Sequence, residues 1–394
     1  MTRRLMLLTV ALGTFGSIPA ATQEITLGGQ IRPRYEFRDP VAGEADAFTS
    51  MRVRADLTAS LERNVRVFVQ LQDVRLWGEE TNTLTDFQAN GFDLHQGYVD
   101  LWHPVAGVRL SARVGRQEVN FGGERLVGAV GWTQQARSFD GVRLAAAGSF
   151  GTVELVGYKV AEGSDPGIAL DAEFAGVYAS LAGVPGGTLD VYGLYDRVAS
   201  GTGTSRGTIG ARYFGQGRFV YRVEGSYQVG KENLVDVGAF MFGARFGANL
   251  GASSVTLWYD YLSGDDSPGD GRTSAFNTLF ATNHKFYGLA DLFTSIPAHT
   301  GGFGLQDIAL KAATSPVDPL TVTLDVHHFR AAKTGTLSSA RFGEEIDLTG
   351  RYAYSRNVTA TVGASYVIQG PALEDLGRLT QNLLWLYTML DVRF

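Results

Sequence analysis

From Arg52 to Gln72 the chain reads RVRADLTASLERNVRVFVQLQ, and its apolar residues take every second place. Val53, Ala55, Leu57, Ala59 and Leu61 alternate with Arg52, Arg54, Asp56, Thr58 and Glu62, which fill most of the places between them. A period of two predicts a strand, because successive side chains of a strand point to opposite faces. After Glu62, Arg63 and Asn64 the alternation resumes with Val65, Val67, Val69 and Leu71, interleaved by Arg66, Gln70 and Gln72, so the stretch predicts two strands and a tight turn. In a soluble sandwich the charged face meets bulk water; in a membrane barrel it faces the lumen.

The alternation recurs along the chain. Ile25, Leu27, Gly29 and Ile31 mark a first strand, interleaved with Gln30, Arg32, Arg34 and Glu36. Further strands are predicted to start near Phe92, Val108, Arg137, Thr152, Asp171, Thr188, Thr204, Gly217, Asp236, Ser253, Gly304, Pro319, Gly343, Asn357 and Gln381, which brings the count to about 18. Extended helical periodicity is missing. The segments run longer than the 5 or 6 residues typical of soluble sheets, at about the length of tilted membrane strands.

The connections sort by length. The even ones are ERN, HPVAG, AGSFG, AGVPGG, GQG, NLGAS, TSPVD and YSRN, all compact turn signals. Most of the odd ones are long and polar, among them AGEADAF, LWGEETNTLTDFQANG, the stretch from Glu118 to Gln135 and a very long one from Ser263 to Gly302. Short turns at the periplasmic end and long loops at the outer end are the pattern of an outer-membrane barrel, whereas a soluble sandwich has no reason to sort its loops. The last strand alternates Leu384, Leu386, Leu390, Val392 and Phe394, and its terminal aromatic resembles the signal read by the barrel assembly machinery. The expected fold is therefore all-β, a transmembrane antiparallel barrel with long extracellular loops and short periplasmic turns.

Composition agrees. The 394 residues include 50 Gly, 11 Pro and no Cys, and charged residues reach 19%, below the roughly 25% of soluble proteins. Arg3 and Arg4, the apolar run Leu5 to Phe15 and the small residues SIPAAT predict a cleaved signal peptide over 1–21, ahead of one barrel domain over 22–394 in the outer membrane. The apolar run is too short for a membrane anchor, which needs about 20 residues.

A barrel of this size can enclose an aqueous channel. With the apolar set taken as outward, the lumen receives Arg32, Arg34, Arg52, Arg54, Arg66, Arg109, Arg113, Arg143, Arg212, Arg218, Arg222 and Arg351, against Glu36, Asp56, Glu224, Asp260 and Asp347. Guanidinium groups stay charged at physiological pH and hold carboxylates in bidentate fashion, so this wall is expected to favour anions, particularly uronates. Pairing of individual arginines with wall carboxylates is the competing role for each of them.

Two stretches carry a family resemblance: RVGRQEVNFGGERLVGAVGWTQQARSFDGVRL from Arg113 to Leu144, and FNTLFATNHKFYGLADLF from Phe276 to Phe293. The first looks like the signature of the alginate export family of outer-membrane channels; the second is similar to the family's long-loop segment. The resemblance implies an 18-stranded channel passing an acidic polysaccharide outward. The matching positions are Gly115, Arg116, Gln117, Arg125, Trp132, Arg137, Asp140, His284, Lys285 and Asp291, together with the lumen residue Arg143. Arg116 falls on the lipid side by strict alternation, which predicts a kink or a place at the headgroup rim. Asp140 and Arg137 are expected to pair structurally at the start of a strand. His284, Lys285 and Asp291 lie in a loop far beyond ordinary length, which suits a constriction or a packed rim. The apolar residues of Phe276–Phe293 need shelter, and the lumen is the nearest.

No metal site or cofactor is expected. The acidic GDDSPGDG fits no EF-hand spacing and reads as a solvated loop. His327 and His328 are adjacent in one strand, so one faces inward, but no serine partner at recognisable spacing supports catalysis, and the chain reads as a non-enzyme. The alternative function is an anion-selective porin for uptake of small acidic solutes. Expected partners are the polymer or an acidic oligosaccharide, outer-membrane lipid, the barrel assembly machinery and a possible periplasmic export scaffold. No nucleic acid is expected, and the pattern leans toward a monomer.

Overall fold

The computed structural model describes residues 24–41, 44–61, 64–78, 92–163, 170–199 and 203–394; the expected signal peptide lies outside them. The strands are β1 (Glu24–Val41), β2 (Glu44–Leu61), β3 (Val65–Leu76), β4 (Phe92–Val105), β5 (Val108–Gln117) and β6 (Phe139–Gly148). They continue as β7 (Gly151–Ala161), β8 (Asp171–Val184), β9 (Gly187–Ala199), β10 (Thr204–Gly215), β11 (Phe219–Glu232), β12 (Val235–Leu250) and β13 (Ser253–Leu262). After the two-residue β14 (Arg272–Thr273) come β15 (Leu305–Val317), β16 (Leu320–Arg330), β17 (Arg341–Ala353), β18 (Val358–Gln369) and β19 (Leu383–Arg393). All but β14 belong to one closed antiparallel barrel of 18 strands.

Closure is made by the first and last strands. β1 pairs with β2, as in Leu27↔Leu57, and with β19, as in Ile31↔Val392, while Phe394 exchanges backbone hydrogen bonds with Gly29. A closed ladder leaves no strand edge, which is what a sheet in hydrocarbon requires. The two faces follow the predicted alternation. Ile31, Tyr35, Leu57, Val99, Leu101, Val114, Leu144 and Leu155 are exposed on the lipid side, and Gln30, Arg32, Arg34, Glu36, Arg52, Arg54 and Gln72 are buried inside.

Each even connection spans only a few residues, from 106–107 between β4 and β5 to 354–357 between β17 and β18. The odd connections are more varied than expected. AGEADAF is no loop, because β1 and β2 run on as a hairpin to residues 41 and 44, and β11 and β12 meet through Asn233 and Leu234 alone. Strand continuation consumes these stretches. At about 3.3 Å per residue, the 18-residue strands β1 and β2 reach well beyond an apolar band of about 25 Å.

The apolar core sits inside the upper barrel. Phe139, Tyr158, Phe174, Tyr178 and Tyr192 point inward from β6 to β9 and pack against loop residues. Phe121 stacks on Tyr178 at 4.8 Å between ring centroids, and Phe280 meets Phe139 and Phe174 edge-on at 5.3 and 5.2 Å. Phe121 belongs to the β5–β6 loop, residues 118–138, and Phe280 to the β13–β15 loop, residues 263–304.

Candidate functional site

The two long loops fold into the lumen and bind each other through their backbones. Phe280 N–H donates to Leu126 O at 2.8 Å, Gly128 N–H to Phe280 O at 2.9 Å and Thr282 N–H to Glu124 O at 2.9 Å. Side chains extend the junction: Trp132 stacks on His284 at 4.2 Å, and Lys285 Nζ lies 2.7 Å from Glu124. His284 Nδ1 is 2.6 Å from Asp291. Sheltering aromatics here rather than at the surface is the physical reason for insertion, since Phe276, Phe286, Tyr287 and Phe293 are all buried.

Wall residues hold this plug. Arg32 donates to the carbonyls of Gly131, Trp132 and Thr133 at 2.8 to 3.0 Å and to Gln134 Oε1 at 3.0 Å. Arg34 reaches Trp132 O at 2.8 Å with its guanidinium over the indole, and Arg52 reaches Thr133 and Gln134 carbonyls at 3.3 and 3.2 Å. Arg54 donates to Gln72 at 2.8 Å and lies 3.3 Å from Glu118. Burial pushes the Glu118 carboxyl up, but the hydrogen bond to His95 and the charge of Arg54 pull it below the usual carboxylate range. Three strands round the wall from β1, β17 receives the long loop: Ala290 N–H donates to Glu345 at 2.7 Å and Leu289 N–H to Asp347 at 3.3 Å. Arg125 is the deepest tie, with Asp260 Oδ2 at 2.6 Å, Glu224 Oε2 at 3.4 Å and the Tyr287 hydroxyl at 3.0 Å. Burial works against its charge, yet Asp260, Tyr287 and Glu224 outweigh that and raise its pKa.

Below the plug the wall is open to water. Arg66 and Arg113 both pair with Asp100, Arg143 pairs with Glu154, and Arg109 lies over Trp102 at 5.0 Å with no ion pair among the described residues. The four arginines, with Asp100, Trp102, Ser111 and Ala145, line a cavity of about 160 Å³. Across the barrel, Arg212 pairs with Asp190 at 2.8 Å and Arg222 is buried beside Asp260 at 3.8 Å. Arg351 is exposed near the periplasmic end of β17, and Arg218 lies in the β10–β11 turn rather than on the lumen wall.

The family positions sort by role. Gly115 has φ +128, and a Cβ there would lie 2.2 Å from Gly97 O, so only glycine fits. Gln117 is fully buried and donates to Gly115 O at 3.2 Å. The β5 ladder continues past Arg116 without a register shift, so no bulge turns this side chain inward. Its charge is met by Asp140 at 2.7 Å on the neighbouring strand. Asp140 therefore pairs with Arg116 and not with Arg137, which donates instead to the carbonyls of Gly128 and Phe280. Because the Arg116–Asp140 pair is exposed at the outer ends of β5 and β6, at the water-facing rim, Asp140→Asn is expected to cost only about 0–1 kcal/mol in urea unfolding from lipid vesicles; a loss of several times that would show a buried role.

Residues 23–386 match the family model for alginate export. The chain belongs to the alginate export family. No curated protein sequence matches it. Among solved structures, this alginate export family chain is similar in fold to three outer-membrane proteins of Pseudomonas aeruginosa. One is OpdO, at 14% identity and TM-score 0.61, covering 94% of this chain and 97% of that one. Another is OprD, at 11% identity and TM-score 0.60, covering 94% and 93%. The third is OccK2 (OpdF), solved in complex with glucuronate, at 12% identity and TM-score 0.59, covering 94% and 98%. Fold and family are those of outer-membrane channels.

Several site residues escaped sequence reasoning. Asp100, Glu154 and Asp190 neutralise lumen arginines, and Arg245, Lys311 and Trp258 face the lumen on β12, β15 and β13. Trp102 and Trp258 are apolar by type, and a rule that sends apolar residues to lipid misplaces them. The inward histidine is His327, which is buried against Asp307 at 3.0 Å and Lys311 at 3.1 Å, while His328 meets Glu344 at 2.9 Å. Among the described residues no group of His, Asp and Glu is arranged to hold a metal ion.

Proposed function

We propose that this channel passes an alginate-like uronate polymer, one extended chain at a time, outward through the outer membrane. The observation that carries the reading is the guanidinium wall of the periplasmic vestibule, Arg66, Arg109, Arg113 and Arg143, set beside Tyr98 and Trp102. Four cations facing two carboxylates, Asp100 and Glu154, leave an excess of positive charge where a polyanion would enter. Arg113 lies 3.8 Å over the Tyr98 ring, a combination of flat apolar surface and charge that suits an acidic sugar. The signal peptide over 1–21, the single barrel domain over 22–394, a monomeric state, assembly by the barrel machinery and a periplasmic scaffold belong to the same proposal.

In planar bilayers the channel is expected to prefer anions, most clearly at low salt where screening is weak. Oligomannuronate hexamers should block the current at far lower concentration than the monosaccharide. Cation selectivity would overturn the reading. Equal potency of hexamer and monomer would favour the second reading, uptake of small acidic solutes, which is motivated by the glucuronate complex of OccK2.

A further inference from the structure

We infer that the outside of the barrel wall between β9 and β11 holds a phosphate-bearing lipid of the outer leaflet, with its headgroup on Arg197, Ser205 and Lys231. The inference concerns the lipid-facing side and is independent of what passes through the lumen. Ladder register sets one outward row of side chains at the outer rim. Arg116, Asp140, Lys159, Glu173 and Arg197 stand side by side on β5 to β9. Ser205 follows on β10, then Lys231, Asp236 and Arg272 on β11, β12 and β14. Their chain neighbours Phe139, Tyr158, Phe174, Asp196 and Arg206 are buried inside, which fixes the row on the other face.

The sign of the charge alternates along this row and fails at one place. Ser205 stands directly between Arg197 and Lys231, where alternation calls for an anion. The two cations are about 10 Å apart at the backbone, twice the strand spacing, so their long side chains can close on one group held between them. Both are accessible, with side chains 51% and 63% exposed. The carboxylate beside Arg197 is shared, since Glu173 lies 3.5 Å from Arg197 and 3.7 Å from Lys159, and Lys231 meets Asp236 at 2.9 Å on the side away from Ser205. The Tyr195 hydroxyl lies 3.0 Å from Ser205 Oγ, so the gap itself is lined by neutral hydroxyls. A phosphate can accept from guanidinium, ammonium and hydroxyl together, and would complete the row.

What lies below the gap selects a lipid over a free anion. On the same strands an apolar groove of about 930 Å³ opens on the lipid side, with Gly193, Ala211 and Gly225 as its floor and Ile209, Tyr227 and Phe242 at its edges. Ile209 follows Ser205 by four residues on β10, about 13 Å at the rise of a strand, which falls inside the roughly 15 Å of hydrocarbon in one leaflet. Gly207 alone separates them on this face, so no side chain blocks the descent from the rim. Neither Gly193 nor Gly225 is required by the backbone, because both lie outside the left-handed region. Packing does not require them either: a Cβ at Gly193 would meet nothing within 4 Å, and one at Gly225 only Met241 O at 3.8 Å. The missing side chains leave a hollow whose lining gains contacts when an acyl chain fills it. A free phosphate would use the gap without the groove, and a neutral lipid the groove without the gap; a phosphorylated lipid uses both.

The test uses the full-length channel in detergent, with lipid binding read by native mass spectrometry and folding by heat-modifiable migration. Lipid A carrying both phosphates is expected to bind about tenfold tighter than the same lipid without them, each exposed ionic contact giving about threefold. Ser205→Asp, which puts a fixed carboxylate in the gap, should abolish that difference, whereas Ser205→Asn, of the same shape without the charge, should keep it. The double variant Arg197→Gln, Lys231→Gln should abolish it too and covers the case in which Ser205→Asp does not fold. Gly193→Leu, whose side chain fills the groove, should weaken both forms of the lipid about fivefold, with Ala211→Leu as its substitute if it does not fold. Equal binding of the two lipids to the wild type, an unchanged phosphate preference in Ser205→Asp, or unchanged affinity in Gly193→Leu overturns the site. Displacement of the lipid by inorganic phosphate or by oligomannuronate at matching concentration would assign the gap to a free anion or to the polymer, and overturns it as well.

Discussion

Deleting Ser274–Phe293 is expected to leave a folded barrel whose single-channel conductance is severalfold larger than that of the wild type. The barrel is closed by the ladder from β1 to β19, and no strand of it passes through the deleted segment. The segment does fill the upper lumen. Phe276, Tyr287 and Phe293 are each at most 1% exposed, and Phe293 packs on Phe329 and Phe342 of the wall at 4.9 and 5.3 Å. Its removal takes away the Trp132–His284 stack and the backbone bridges to the 118–138 loop, but not the contacts that Arg32, Arg34 and Arg52 make to that loop. The pore should therefore widen without becoming that of an empty barrel. Heat-modifiable migration reports folding and bilayer recording reports conductance. An unchanged conductance in a folded variant would mean that ions already pass on a route the segment does not narrow.

Arg125→Gln is expected to cost about 3–5 kcal/mol of stability, the penalty for leaving buried charge uncompensated. Arg125 is 1% exposed, and its carboxylate neighbours Asp260 and Glu224 are 1% and 4% exposed. With the guanidinium gone, the two carboxylates face each other in a site without water access, and Asp260 retains only the distant Arg222. The double variant Arg125→Gln, Asp260→Asn should recover part of the loss, because it removes a stranded charge with its partner. Tyr287→Phe, which deletes one hydrogen bond to Arg125 at 3.0 Å, should cost only about 1 kcal/mol. Urea unfolding from lipid vesicles measures all three. If the single variant unfolds like the wild type, water reaches these carboxylates and the plug is looser than its contacts imply. Current noise gives an independent readout, since the same substitution unties the 118–138 loop from β11 and β13.

Local chemistry made most of the barrel readable from the chain alone. The alternation of Val53, Ala55 and Leu57 with Arg52, Arg54 and Asp56 is a property of the strand itself, and it places those arginines inside whatever the rest of the molecule does. Strand number and the shortness of every periplasmic turn are equally local, because Gly, Pro, Asn and Asp act within a few residues. The need of Phe276, Tyr287 and Phe293 for shelter was also legible, as an excess of apolar surface in a loop. What each charged side chain does was not. Arg32 and Arg52 read as lumen cations, either facing the pore or paired with wall carboxylates, but they bind carbonyls about a hundred residues away, at Gly131 to Gln134. Asp140 pairs across the ladder with Arg116, and Trp258, apolar by type, turns to the lumen among Arg222, Arg245 and Lys311. Period two sets the face of a residue, whereas its partner depends on how two distant loops enter the barrel, and only the tertiary structure brings those groups together.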